Sequence, residues 1–180
     1  MKDYGLFYEK ITAPLRQRPG ALRALKAANR VLTFADYAIY PAILLGALIS
    51  GFRAGGASQA LRDFLPYLLV PGIGFVLVSL VRGSMNAPRP YETWPIEPLI
   101  YKDTKGHSMP SRHVFSSSVI AMCALRVHWI FGVVMLLLSL FLAFVRVLGG
   151  VHYPKDVAAG YAIGVLTGLI LFLFWNHRKI

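Results

Sequence analysis

The sequence is short of acidic residues and of cysteine. Eight Asp and Glu residues stand against nineteen Lys and Arg, which gives a formal net charge of +11 over 180 residues. The carboxylates do not cluster along the chain, so we expect no metal site built from oxygen ligands and no other cofactor. The single cysteine, Cys123, cannot form an intrachain disulfide. Because it lies in an apolar stretch, we expect it to be a small core residue.

Charge of either sign is scarce, at 15% of the residues. The basic residues lie at the ends of apolar runs and in loops rather than along one patch. This distribution argues against nucleic acid as a partner. Anionic lipid head groups and phosphate-bearing substrates explain the excess of positive charge better.

Apolar residues are abundant, at 56% of the chain, and they form long runs. Three runs without any charge span residues 64–81, 127–145 and 157–175. A fourth, 31–52, contains only Asp36, which we interpret as a helix-entry carboxylate, and a shorter fifth spans 111–125. A helix rising ~1.5 Å per residue crosses ~30 Å of hydrocarbon in about 20 residues. We therefore predict an all-α, polytopic membrane bundle of about five transmembrane helices, with a soluble all-helical protein as the alternative.

The N-terminal segment, residues 1–30, has a different pattern. Leu15, Leu22 and Leu25 recur at helical spacing with Arg and Lys between them. This pattern predicts an amphipathic helix on the membrane surface. Residues 31–180 then form a single transmembrane domain.

The longest polar stretch, 83–110, is rich in proline and cannot be helical throughout. Long loops on a rigid scaffold often carry function. If the helices alternate across the membrane, the polar residues at several helix ends are delivered to the same face as this loop. They are Arg82, Arg89, Ser111, Arg112, His113, Arg146, His152 and Asp156. Because charge is costly in the membrane, these side chains should line one polar cavity.

The first motif contains Arg82 and Arg89-Pro90, separated by a loop with glycine and proline. Planar guanidinium groups donate paired hydrogen bonds to phosphate oxygens. The alternative for this motif alone is a pair of interfacial arginines that reach toward lipid head groups.

The second motif is Pro110-Ser111-Arg112-His113. Ser111 lies at the expected start of a helix, where its hydroxyl can cap and the free amides can bind an anion. His113 follows within the first turn. The alternative is a capped helix with a boundary histidine.

The third motif joins Arg146 to His152 and Asp156. His152 and Asp156 are four residues apart and can share a helix face. A carboxylate bound to one imidazole nitrogen leaves the other nitrogen free as a nucleophile. The alternative is a carboxylate that only stabilises the helix start.

Together and in this order, the three motifs resemble the signature of the type 2 phosphatidic acid phosphatase family, which includes bacterial acid phosphatases and vanadium haloperoxidases. The resemblance covers about residues 64–172. It implies that His152 attacks phosphorus and forms a phosphohistidine, that Asp156 orients it, and that His113 protonates the leaving oxygen. It implies a phosphate site without a metal ion, formed by Arg82, Arg89, Arg146 and Ser111 with nearby backbone amides.

Two positions depart from the family pattern. The first motif usually opens with lysine, where this chain has Arg82. The second usually has glycine between serine and histidine, where this chain has Arg112. Our hypothesis is that Arg112 contacts a second phosphate or a lipid head group.

The resemblance implies a phosphatase acting on a lipid phosphomonoester or diphosphate. Candidate substrates are a polyprenyl diphosphate such as undecaprenyl diphosphate, phosphatidylglycerol phosphate and phosphatidic acid. Residues of the polar loop, among them Glu92 and Lys102, are candidates for selecting the head group. A phosphotransferase using another acceptor is an alternative, and so is a transporter that binds anionic lipid without cleaving it. Nothing in the sequence indicates the oligomeric state.

Relatives in this family are proteins of the cell membrane, and their active site usually faces the extracytoplasmic side. We expect the same location and orientation for this protein. It leaves these basic residues on the cytoplasmic side: Arg53, Arg62, Arg126, Arg178 and Lys179. That agrees with the positive-inside rule, whereas the basic residues of 2–30 oppose it. A site facing the cytoplasm is the alternative.

Overall fold

The computed structural model describes residues 3–173, so Arg178 and Lys179 lie outside it. Within this range the chain is helical and contains no strand. Its helices are α1 (Tyr4–Arg16), α2 (Pro19–Met85), α3 (Pro90–Thr93), α4 (Arg112–Val127), α5 (Trp129–Leu148) and α6 (Pro154–Leu173). The predicted class, an all-α membrane bundle, is confirmed.

Helix α2 folds back on itself in its middle. Gly55 and Gly56 leave helical geometry, and Gly56 has φ +70°, which favours a residue without a Cβ. The two halves pack so closely that a Cβ on Gly51 would lie 2.6 Å from Cα of Ala60. We call residues 19–54 the first arm and residues 57–85 the second arm.

Three stretches of the described chain are long and apolar enough to cross a membrane, and they contain α2, α5 and α6. Their outer faces expose large apolar side chains such as Leu80, Leu137 and Leu166. Such a surface suits lipid rather than water. The two arms of α2, with α4, α5 and α6, make five helical segments, as the apolar runs predict.

Helix α4 is the most buried segment and lies against α6 along a glycine stripe. A Cβ on Gly160 would lie 2.5 Å from the carbonyl oxygen of Ser111, and one on Gly168 would lie 2.2 Å from Cβ of Met122. Small residues at this spacing let helix backbones approach closely. The contact brings the start of α4 beside the start of α6.

The N-terminal segment consists of α1 and the beginning of the first arm. It breaks at Gln17 and Arg18, so residues 19–30 already belong to the first arm. Apolar positions of this segment contact protein: Leu25 packs with Leu99 near the end of α5. The expected position on the membrane surface stays a prediction. Helix α1 lies on the polar loop, where the hydroxyl of Tyr8 donates to the carbonyl of Leu148 (3.0 Å).

Candidate active site

The predicted site residues come together at one end of the bundle. The end of the second arm, the start of α4, the end of α5 and the start of α6 meet there, beneath the polar loop. The amide of Ser111 donates to the carbonyl of Asp156 (2.9 Å), which joins the second motif to the third. Arg89 donates to the carbonyl of Val151, the residue before His152, and so joins the first motif to the third.

His152 and Asp156 lie side by side, with no solvent exposure. Nδ1 of His152 is 3.7 Å from Oδ2 of Asp156. The hydroxyl of Ser108 donates to that same Oδ2 and lies 3.4 Å from Nδ1. The amide of Tyr153 also donates to Oδ2 (3.0 Å). Asp156 is therefore held in place by two donors and faces one edge of the imidazole.

The other edge of the His152 ring carries Nε2, which is buried and has no hydrogen-bond partner among the described residues. Burial lowers the pKa of His152 to about 3, an effect that outweighs the opposing influence of the Asp156 carboxylate. The ring is therefore neutral at neutral pH. A proton on Nδ1, facing the carboxylate, leaves the Nε2 lone pair available.

His113 is oriented by a chain of contacts from the first arm. The side-chain oxygen of Asn29 accepts from Nη1 of Arg146 (2.9 Å), and Nη2 of Arg146 lies 3.5 Å from Nδ1 of His113. An arginine only donates hydrogen bonds, so Nδ1 must be the acceptor. In neutral His113 the proton is then on Nε2.

Arg89 and Arg82 bind backbone carbonyls as well as facing the site. Arg89 is 1% exposed, and its guanidinium donates to the carbonyls of Gly106, His107 and Val151. Arg82 donates to the carbonyl of Pro110 (3.0 Å). A guanidinium has five N–H donors, so both groups keep donors for an anion while they hold the polar loop in place.

Glu92 is committed to the fold of this loop. Its carboxylate accepts from the amides of Arg89 (2.7 Å) and Gly106 (2.8 Å). These contacts help to shape the loop, and the part of Glu92 in selecting the head group stays a prediction.

The side chains of Ser111 and Arg112, at the start of α4, make different contacts from those that the second motif suggested. Ser111 precedes α4 as predicted, but its hydroxyl makes no capping bond and is buried without a partner among the described residues. It is therefore free to meet another group, as is the unpaired, buried Nε of Arg146. The guanidinium of Arg112 is exposed and lies over the ring of Phe75, 5.2 Å from its centre.

Lys102, in the polar loop, adds a further cation. It lies within electrostatic range of Arg89, Arg146, Arg82 and Arg112. Burial first, and these neighbours second, lower its pKa to about 7. Asp156 is the carboxylate embedded among these groups, so the site has excess positive charge suited to a polyanion. Among residues 3–173, His, Cys, Asp and Glu side chains form no group of three that would hold a metal ion.

A cavity of about 390 Å³ leads from the site into the bundle. Arg112 and His113 lie at its polar end. Its walls come from both arms, α4 and α5, and include Thr33, Asp36, Tyr40, Pro71, Phe75, Val119, Ile120 and Leu142. The helix-entry position expected for Asp36 is wrong: α2 begins at Pro19, so the carboxylate lies well inside the helix, and it is buried.

Comparison with known proteins agrees with this geometry. The family model of the PAP2 superfamily matches residues 63–180. This chain belongs to the PAP2 superfamily. The match includes all three motifs and excludes the whole first arm, which supplies Asn29 and Asp36 to the site and its cavity.

One curated relative and two solved structures are similar to this chain at 19–32% sequence identity. The bacitracin transport permease protein BcrC of Bacillus licheniformis is 32% identical over 120 residues, or 66% of this chain and 58% of BcrC. The chain thus spans less than two thirds of that relative's length. The crystal structure of Aquifex aeolicus LpxE matches 84% of this chain and 94% of LpxE, with TM-score 0.57 and 21% identity. A PAP2-type phosphatidylglycerolphosphate phosphatase of Bacillus subtilis matches 96% of each chain, with TM-score 0.56 and 19% identity. The chain therefore shares its helical fold with both solved structures.

Sequence reasoning did not assign roles to Ser108 or Asn29, and it named Lys102 only as a candidate for selecting the head group. Ser108 lies within the stretch that precedes the second motif, and its nearness to that motif was the available signal. Asn29 had no such signal, because it contacts Arg146 from 117 residues away.

Proposed function

We propose that the protein is a lipid phosphatase of the cell membrane that works through a phosphohistidine at His152. The observation that carries this proposal is the unpaired Nε2 of a neutral His152, whose opposite edge faces Asp156. A neutral imidazole backed by a carboxylate is a suitable nucleophile. A group that only bound a phosphate would not need one.

In the first step, the Nε2 lone pair forms a bond to phosphorus while the bond from phosphorus to the leaving oxygen breaks. That oxygen takes a proton from Nε2 of His113, which enters this step as an imidazolium beside the bound phosphate anion and is left as a neutral imidazole. In the second step, water attacks the phosphohistidine and gives a proton to His113. The bond between phosphorus and nitrogen then breaks, which releases inorganic phosphate and restores both histidines.

The charge that develops on the phosphoryl oxygens is stabilised by Arg82, Arg89 and Arg146. The unpaired hydroxyl of Ser111 and the free amides at the start of α4 add further donors. Fixed donors of this kind need little reorganisation during the reaction. We assign the reaction no metal ion, because the arginines supply the positive charge.

The substrate is a lipid because the cavity beyond His113 is largely apolar and lies within the bundle. Its 390 Å³ is in the range of ligand pockets, roughly 300–1,000 Å³. We propose a polyprenyl diphosphate, phosphatidylglycerol phosphate or phosphatidic acid as the substrate. The resemblance of the fold to a phosphatidylglycerolphosphate phosphatase supports this class.

We further propose that the protein crosses the membrane several times, with its active site on the extracytoplasmic side. Arg53, Arg62 and Arg126 then lie at the cytoplasmic end, as the positive-inside rule favours. Labelling of a Lys105→Cys variant in intact cells with a membrane-impermeant thiol reagent tests this orientation. Labelling that occurs only after lysis would reverse it.

The decisive experiment measures phosphate released from the three candidate lipids by purified protein in detergent. We expect activity that survives EDTA, is inhibited by vanadate and is lost in His152→Ala. Denaturing the enzyme during turnover should trap phosphate on the protein in wild type and not in this variant. Loss of activity on chelation would refute the metal-free mechanism. Undiminished activity in His152→Ala would refute the phosphohistidine.

A further inference from the structure

Asp36 is a buried acid that the reaction above does not use. It lies in the first arm, is 7% exposed and forms part of the cavity wall. A carboxyl group inside a membrane protein is costly unless a polar partner compensates for its lost hydration. Its position therefore needs an explanation beyond packing.

The protein itself provides Asp36 with little compensation. Within the described chain, its one hydrogen bond is from the hydroxyl of Ser117, at a long 3.4 Å, and no Lys or Arg forms an ion pair with it. Two other polar residues of the wall are already bonded to backbone carbonyls: Thr33 to Asn29 (2.8 Å) and Tyr40 to Tyr67 (2.9 Å). Asp36 thus retains hydrogen-bonding capacity at the cavity wall.

The position of Ser117 on α4 shows how far the Asp36 carboxyl lies from His113 along the helix axis. Ser117, which contacts Asp36, follows His113 by four residues, or about 6 Å along a helix axis. The carboxyl therefore lies roughly one turn deeper than the group that protonates the leaving oxygen. A leaving group in the cavity brings the first carbons beyond the scissile bond to this level.

We propose that Asp36 is a specificity-determining residue that hydrogen-bonds a hydroxyl on the leaving group of the substrate, next to the carbon that carries the phosphate. This inference rests on the proposed phosphatase function. A hydroxyl fits because it donates to a carboxylate and accepts from a neutral carboxyl, so it pairs with Asp36 in either state. Of the three candidate lipids, phosphatidylglycerol phosphate has such a hydroxyl, so this role of Asp36 favours it. The leaving groups of phosphatidic acid and of a polyprenyl diphosphate would leave the buried carboxyl without this partner.

Two synthetic substrates that differ by one oxygen test the proposal: dodecyl phosphate and 2-hydroxydodecyl phosphate. A site built to bind a hydroxyl discriminates against the analogue that lacks it. We expect wild type to prefer the hydroxylated substrate in kcat/KM by about tenfold or more. Asp36→Leu should bring that ratio close to one, and Asp36→Asn, which can still accept a hydrogen bond, should keep much of it.

Thr33→Val is the matched control, because it removes a hydroxyl of the same wall that is already bonded to a backbone carbonyl. It should leave the ratio at the wild-type value. If Asp36→Leu does not fold, Asp36→Ala carries the same expectation.

A wild-type ratio near one, or an unchanged ratio in the folded Asp36 variants, would overturn the role of Asp36 and leave the phosphatase proposal intact. If wild type released phosphate from none of the five substrates, that is, neither from the two synthetic compounds nor from the three candidate lipids, the phosphatase proposal would instead be refuted.

Discussion

Replacing Ser108 by alanine tests the arrangement around His152 most directly. The hydroxyl of Ser108 donates to Oδ2 of Asp156 and lies 3.4 Å from Nδ1 of His152. Ser108 is completely buried, so bulk water does not take over the hydrogen bond of its hydroxyl when that hydroxyl is removed. Its removal takes from Asp156 one of the two donors that hold the carboxylate beside the imidazole.

The size of the effect follows from the contact that is lost. A hydrogen bond to a charged group contributes about 1.5–3 kcal/mol, and each ~1.4 kcal/mol is a factor of ten in rate. If the bond matters for the attack on phosphorus, kcat should fall by roughly 10- to 100-fold. KM should change little, because Ser108 has no part in binding the leaving group.

The measurement is phosphate release across a range of substrate concentrations, together with the thermal unfolding midpoint. Ser139→Ala is the control, because Ser139 is equally buried and its hydroxyl bonds to a backbone carbonyl in α5. It should lose stability without losing kcat. In Asp156→Asn, the further removal of Ser108 should cost little, since the two act as a unit. A wild-type kcat in Ser108→Ala, or full additivity with Asp156→Asn, would refute this reasoning.

Three other predictions follow from the structure. The pKa of His152 is about 3 in the folded protein and ~6.5 unfolded, so only the unfolded state takes up this proton between these values. The unfolding midpoint should therefore fall more steeply below about pH 6.5 in wild type than in His152→Gln. The pKa of Lys102 is about 7, so vanadate affinity should weaken between pH 6 and 9 more in wild type than in Lys102→Met, because Lys102 loses its charge in that window. Gly164→Ala should cost about 1–3 kcal/mol, since its Cβ would clash with Ser118, whereas Gly72→Ala, with open space around it, should not.

Each of these three has a clear contrary result. Parallel pH curves for wild type and variant would contradict the first two, because the named group would then not be the one that titrates. Equal unfolding midpoints in the two glycine variants would contradict the third, because close packing of α6 on α4 would then not limit stability.

The sequence alone determined the class of fold and the set of residues that meet at the candidate active site. Long apolar runs predict membrane helices because hydrocarbon forces the backbone to satisfy its own hydrogen bonds. Gly55 and Gly56 mark the turn between the two arms for a local reason, the absence of a Cβ. The order of Arg82, His113 and His152 along the chain was enough to suggest a phosphate site, because the three motifs together resemble a known family signature.

Only the tertiary structure decided which partner each of these groups has. Ser108 reaches Asp156 across 48 positions of sequence, and Asn29 reaches Arg146 across 117. Such contacts depend on how the helices pack, and no local pattern encodes them. The same is true of Asp36. From the sequence it was interpreted as a residue at the start of a helix, and only the packing of the arms against α4 makes it part of a cavity wall.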